Sequence, residues 1–92
     1  MATAIFAPTA NAASGTVTVT DDPVEVFLNA PGGLYKVGRV GVAIELQNSD
    51  AGYTFIETMD AAKSGLFLSG KGVWRLSKPE TNYAYGADRS DP

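Results

Sequence analysis

Residues 39 to 58 read RVGVAIELQNSDAGYTFIET, and the pattern inside this stretch decides the fold class. Val40, Val42, Ile44 and Leu46 alternate with Gly41, Ala43, Glu45 and Gln47. Residues two apart share one face of a strand, so the segment offers an apolar face to a core and a more polar face to solvent. Asn48, Ser49, Asp50, Ala51 and Gly52 follow, and several of these tolerate positive φ or bond their own backbone. A second β-rich run from Tyr53 to Thr58 begins at once. The spacing predicts a central strand entering a long antiparallel hairpin.

Outward from the hairpin the same period recurs. Thr16-Val17-Thr18-Val19-Thr20 sets two valines against three threonines, and after the turn Asp21-Asp22-Pro23 the run Val24 to Leu28 places Val24, Val26 and Leu28 on one face. Phe27 then lies on the outer face beside Glu25. Asn29-Ala30-Pro31-Gly32-Gly33 is a loop signal, and Leu34 to Val37 reads as a short strand before Gly38. On the other side, Met59 to Ser64 is a connection, Gly65 to Ser69 a strand, Gly70-Lys71-Gly72 a tight turn and Val73 to Ser77 a last strand. Trp74 and Leu76 share a face, which places the single tryptophan in or near the core. Pro79 stops the sheet.

The expected fold is all-β: a small antiparallel β-sandwich or jelly-roll-like barrel of about seven strands with extended terminal arms. Residues 1 to 14 carry only Ile5 and Phe6 as large apolar groups and read as an extended N-terminal arm. Residues 15 to 78 form the body. Residues 79 to 92, with Tyr83 and Tyr85 among polar neighbours, read as a C-terminal tail; arm and tail both need something to hold them in order.

Composition narrows the function classes. The chain has 92 residues, one domain's worth, with neither cysteine nor histidine. That removes disulfides, thiolate ligands, the commonest metal ligand and the usual general base. Seven Lys plus Arg against ten Asp plus Glu give a net charge of −3 with no basic cluster, so no nucleic-acid partner is expected. No apolar run is long enough for a transmembrane helix, and no membrane partner is expected. Ala10-Asn11-Ala12 imitates a signal-cleavage site, but no Lys or Arg precedes it and Pro8 interrupts the apolar stretch, so no cleaved leader is expected.

Three patterns suggest chemistry and fall short of it. Gly65 to Lys71 matches the start of a phosphate-binding loop, yet Gly72 stands where a magnesium-ligating Ser or Thr is needed, and strands flank the motif. Asn48, Asp50 and Gly52 imitate a calcium loop with the glycine at the wrong position and Met59 in place of the bidentate Glu. Glu25, Glu45 and Glu57 supply carboxylates without a nucleophile and base pair beside them. No enzyme activity, cofactor or metal is expected.

The order of pieces from Val40 to Ser77 resembles a family of small bacteriophage virion proteins, the capsid decoration (cement) proteins and related β-domains of head and tail fibres. The resemblance lies in Gly41 to Gln47, the Ser49-Asp50-Ala51-Gly52 turn, the aromatic-led Tyr53-Thr54-Phe55-Ile56 and the closing Gly72-Val73-Trp74-Arg75-Leu76. It implies a body on the outer capsid surface of the virion, at junctions between subunits of the major capsid protein; edge strands with free backbone groups suit self-association, and a homo-oligomer, either trimer or dimer, fits capsid symmetry axes. In that setting Ile5, Phe6 and Pro8 are the arm's partner-binding anchors, and Tyr83 and Tyr85 are contacts of the tail. The alternative is a carbohydrate- or receptor-binding module with Phe27, Tyr35 and Tyr53 as its platform; exposure of Trp74 favours it and burial disfavours it.

Overall fold

The computed structural model describes residues 2 to 90. The strands are β1 (Ala2–Thr9), β2 (Ala13–Val19), β3 (Val24–Asn29), β4 (Val42–Gln47), β5 (Tyr53–Met59), β6 (Gly65–Leu68), β7 (Gly72–Lys78) and β8 (Tyr85–Ser90). They form two four-stranded antiparallel sheets in the orders β1-β8-β3-β6 and β2-β7-β4-β5. This is the strand order of a jelly roll, two Greek keys folded face to face.

The hairpin that opened the sequence reading is in place. β4 is an interior strand between β7 and β5, and its register with β5 runs from Val42 opposite Met59 to Gln47 opposite Tyr53, with a bulge after Ile44. Val42 and Ile44 are fully buried, as their alternation requires. They meet Val17, Val19, Met59, Trp74 and Leu76 of their own sheet and Phe6, Val26, Leu28, Leu68, Tyr85 and Ala87 of the other in one continuous core. Trp74 is buried, and its indole N–H donates to the Gly70 carbonyl at 2.8 Å, so its polar edge is satisfied inside the turn it follows.

Two expectations are corrected. Leu34 to Val37 is not a strand: Leu34–Lys36 is a 3-10 turn, and Val37 drops into the core behind it. β3 and β4 on either side each already have two strand partners, so this segment has no sheet edge to join. The second correction concerns the termini. Residues 1 to 14 are not an arm, nor 79 to 92 a tail, beyond the body; β1 and β8 pair with each other, and β8 sits inside its sheet between β1 and β3. Each segment carries too little apolar surface to pack alone, but together they contribute Phe6, Tyr85 and Ala87 to the core. The described residues therefore make a body of eight strands. Met1, Asp91 and Pro92 lie outside the described residues.

The topology sorts the loops. Connections 10–12, 30–41, 60–64 and 79–84 gather at one end of the sandwich, while 20–23, 48–52 and 69–71 lie at the other with residues 2 and 90. It also sorts the edges. β1 and β2, joined by 10–12, are the edge strands of one side, and β5 and β6, joined by 60–64, those of the other.

Candidate functional site

At the four-loop end, the 30–41 and 79–84 connections face each other across an open cleft. Its larger hollow, about 480 Å³, is lined by the buried Val37 and the exposed Val40 and by Lys36, Glu80, Thr81, Asn82 and Tyr83. A smaller one of about 170 Å³ adjoins it beneath Pro31 and Gly32. Both hollows share Lys36 and Tyr83. The Lys36 ammonium lies 5.2 Å from the centre of the Tyr83 ring and 6.0 Å from that of Tyr35, within reach of both π faces.

Both walls are pinned from beneath. Lys78 points inward from the end of β7 and is 4% exposed; its ammonium donates to the carbonyls of Asn11 and Pro79, each at 2.9 Å, and to Thr81 Oγ1 at 3.2 Å. Burial lowers its pKa from the ordinary lysine value, with nearby Glu80 opposing. Thr81 in turn donates its backbone N–H to the Ala10 carbonyl and its hydroxyl to the Tyr83 carbonyl, both at 2.8 Å. The opposite wall hangs on Tyr85, whose buried hydroxyl donates to the Gly41 carbonyl at 2.8 Å. Burial raises the pKa of that phenol. The cleft is thus held by the core rather than by its own loops.

The residues expected to bind partners fall in different places. Phe6 and Tyr85 are core side chains, 8% and 1% exposed, and so are not available as anchors on this fold. Ile5 is partly buried against the core, and Pro8 is half-buried near the end of β1. Tyr83 alone of the five is exposed, on the cleft wall.

The expected glycan platform is not assembled either. Phe27 is half-buried on β3, opposite Asp88 and Gly65, in one sheet. Tyr53 lies at the edge of the other, with the Arg75 guanidinium 4.0 Å from its ring centre. Tyr35 stands at the loop end. With Trp74 buried as well, that form of the carbohydrate reading loses its support.

Arg75 also grips Glu45 with two hydrogen bonds, Nε to Oε1 at 2.9 Å and Nη2 to Oε2 at 3.1 Å. The Arg75 hydrogen bonds hold the Glu45 carboxyl below its ordinary value of 4.5, burial opposes them, and the Arg75 charge and Ser77 add to the lowering. A carboxyl with a lower pKa folded than unfolded stabilises the fold above the unfolded value and loses that contribution as pH falls through the folded one. Glu45→Gln is therefore less stable than the parent at pH 7, and the gap closes as pH drops below about 4.5, which urea titrations at stepped pH will show.

The other carboxylates singled out in the sequence have separate partners: Glu57 pairs with Lys63 at 2.6 Å and Glu25 accepts from the Ser90 hydroxyl at 2.9 Å. The two motif-like loops are turns. Asp50 Oδ1 accepts from the Gly52 N–H at 3.0 Å and Asn48 Oδ1 from the Thr54 hydroxyl at 2.7 Å, while the Gly65 to Lys71 motif is β6 and the turn after it. Among the described residues no group of three or more acidic side chains is placed to hold a metal ion, and no helix is long and apolar enough to cross a membrane.

Sequence reasoning missed the β5 and β6 side. Phe55 is 58% exposed and Ile56 46% on edge strand β5, and Phe67 is 64% exposed on edge strand β6. The sequence held a signal for this: Phe55 and Ile56 are adjacent large apolar residues in a strand, and a regular strand turns only one of two neighbours inward. Comparisons of the chain with protein-family models, with curated proteins and with solved structures find no match.

Proposed function

We propose that this chain is a viral structural protein, a capsid decoration (cement) protein that clamps neighbouring major capsid subunits on the outer surface of a phage head. The observation that carries the reading is the pair of edge strands β5 and β6 along one side of the sandwich, which leave Phe55 and Ile56 of one sheet and Phe67 of the other open to solvent, Phe55 opposite Glu45 and Phe67 opposite Glu25 on the outward faces of their sheets. Large apolar side chains left exposed along two neighbouring edge strands suit a protein partner that wraps that side of the sandwich. The jelly-roll order, an architecture shared with viral capsid domains, and the virion-protein resemblance from Val40 to Ser77 support it at the level of architecture.

In this account the work is mechanical rather than catalytic. Each copy covers apolar side chains of β5 and β6 against the shell, and many such contacts repeated over a lattice resist expansion of the head together. The opposite side supports contact between copies: residues 2 to 20 contain no charged side chain, and β2 pairs with β7 without a register break, so its outer edge lacks the charges and bulges that keep strands apart. Because β1 is a strand of the body, deleting residues 1 to 13 would test folding and not attachment, and point changes on β5 and β6 are the informative ones.

Purified chain mixed with empty shells of its virus is expected to co-sediment saturably. Phe55→Ser and Phe67→Ser are each expected to weaken binding about tenfold while the thermal midpoint stays near the parent's, since both side chains are exposed in the free protein. Unchanged affinity in the double variant sinks the proposed face, and failure of the parent to bind any shell sinks the function.

A further inference from the structure

The cleft at the four-loop end takes no part in the shell contact proposed for β5 and β6, and its chemistry is different. We infer that it is a second binding site, for a neutral saccharide, with the Tyr83 ring as its stacking platform and Glu80 and Asn82 as partners for hydroxyl groups. A pyranose presents an apolar C–H face and a rim of hydroxyls that both donate and accept. The cleft offers the complement: an aromatic ring 48% exposed and the hydrophobic side chains of Val37 and Val40 in the same lining, with donors and acceptors mixed among them.

Charge selects against the other small-ligand classes. One ammonium and one carboxylate line the larger hollow, and the Lys78 ammonium beneath it is already engaged by the Asn11 and Pro79 carbonyls and Thr81 Oγ1, so no unpartnered cation is left there to hold a phosphate or a polyanion. The Lys36 ammonium already faces two aromatic rings. An extended peptide would be drawn to a free strand edge for its backbone hydrogen bonds, and loops form this cleft.

Preorganisation is the second line of argument. Tyr35, 78% exposed, lies against Gly33 closely enough that a Cβ there would come within 2.8 Å of the ring, and Gly32 leaves room for the Lys36 stem at 3.4 Å from such a carbon. Tyr83 follows the loop tied down by Lys78 and Thr81. A loop whose backbone is already tied at Thr81 and Tyr83 gives up little freedom on binding, which is what a weakly interacting saccharide requires.

The test is amide chemical-shift mapping by NMR on the full chain, titrated with cellotriose, maltotriose, chitotriose and mannotriose, and separately with sialyllactose and inorganic phosphate. At least one neutral trisaccharide is expected to shift amides of residues 34–38 and 80–84 saturably, with affinity about tenfold weaker in Tyr83→Ala. Asn82→Ala serves as a second variant, and the signals of Trp74 report that each remains folded. Shifts at these loops only with sialyllactose or phosphate, none with any trisaccharide, or binding unchanged in both variants would overturn the inference. Tyr83→Ala leaves shell co-sedimentation intact and Phe67→Ser leaves saccharide shifts intact, so failure of one proposal is distinguishable from failure of the other.

Discussion

Tyr85→Ala is expected to lower the thermal midpoint by about 15 to 30 °C, the largest effect of any single truncation in this chain. Tyr85 is the largest fully buried side chain and comes from β8, the strand that joins β1 to the rest of its sheet. Removing a buried aromatic costs about 3 to 5 kcal/mol, and in a domain of this length each kcal/mol is worth roughly 4 to 8 °C. Set against a total stability on the order of 5 to 15 kcal/mol, the loss leaves a partly unfolded population at 37 °C. Tyr85→Phe keeps the ring and strands only the Gly41 carbonyl, so it costs about 1 to 2 kcal/mol. Calorimetry of the two variants separates packing from the hydrogen bond. Equal losses would show that the hydroxyl, not the ring, ties β8 to the opposing sheet.

Gly41→Ala is expected to cost about 2 to 4 kcal/mol in urea unfolding with an unchanged slope. Gly41 is buried at φ 54°, and a Cβ there would overlap the Met59 carbonyl oxygen and lie 2.9 Å from the Met59 carbonyl carbon and 3.0 Å from Asp60 Cα. These are backbone atoms at the end of β5, and they cannot swing aside as a flexible side chain does. Gly38→Ala is the internal control: its φ is 59°, nearly the same, but nothing lies within 4 Å of the added carbon. It should lose only the penalty for a side chain at positive φ, about 1 kcal/mol. Equal effects at the two positions would mean that backbone conformation alone, and not the close approach of the 30–41 loop to β5, makes glycine necessary.

The interior strands were legible in the sequence because their environment is two-sided, apolar within and wet without, and period two records that directly. Val42 and Ile44, Val17 and Val19, and Trp74 and Leu76 all face inward as their alternation requires. The ends of the chain were not legible, for a physical reason. β1 and β8 are half-apolar segments that become stable only by pairing with each other across more than seventy intervening residues, and local pattern carries no trace of that partnership. Phe6 and Tyr85 were accordingly read as outward anchors when they are core. The Leu34 to Val37 segment failed differently: its residues suit a strand, but topology leaves no edge for it. The cleft was half visible, since Tyr35 and Tyr83 were both singled out, but only the fold brings the 30–41 and 79–84 loops together through Lys78 and Tyr85.

We propose attachment to a shell through the β5 and β6 side. Hydrogen exchange of the chain bound to empty shells, compared with the free chain, tests it most directly. Slowed exchange is expected in residues 53–59 and 65–68, with the 34–38 and 80–84 loops unchanged. Protection confined to β1 and β2, or no protection on mixing with shells, would contradict it.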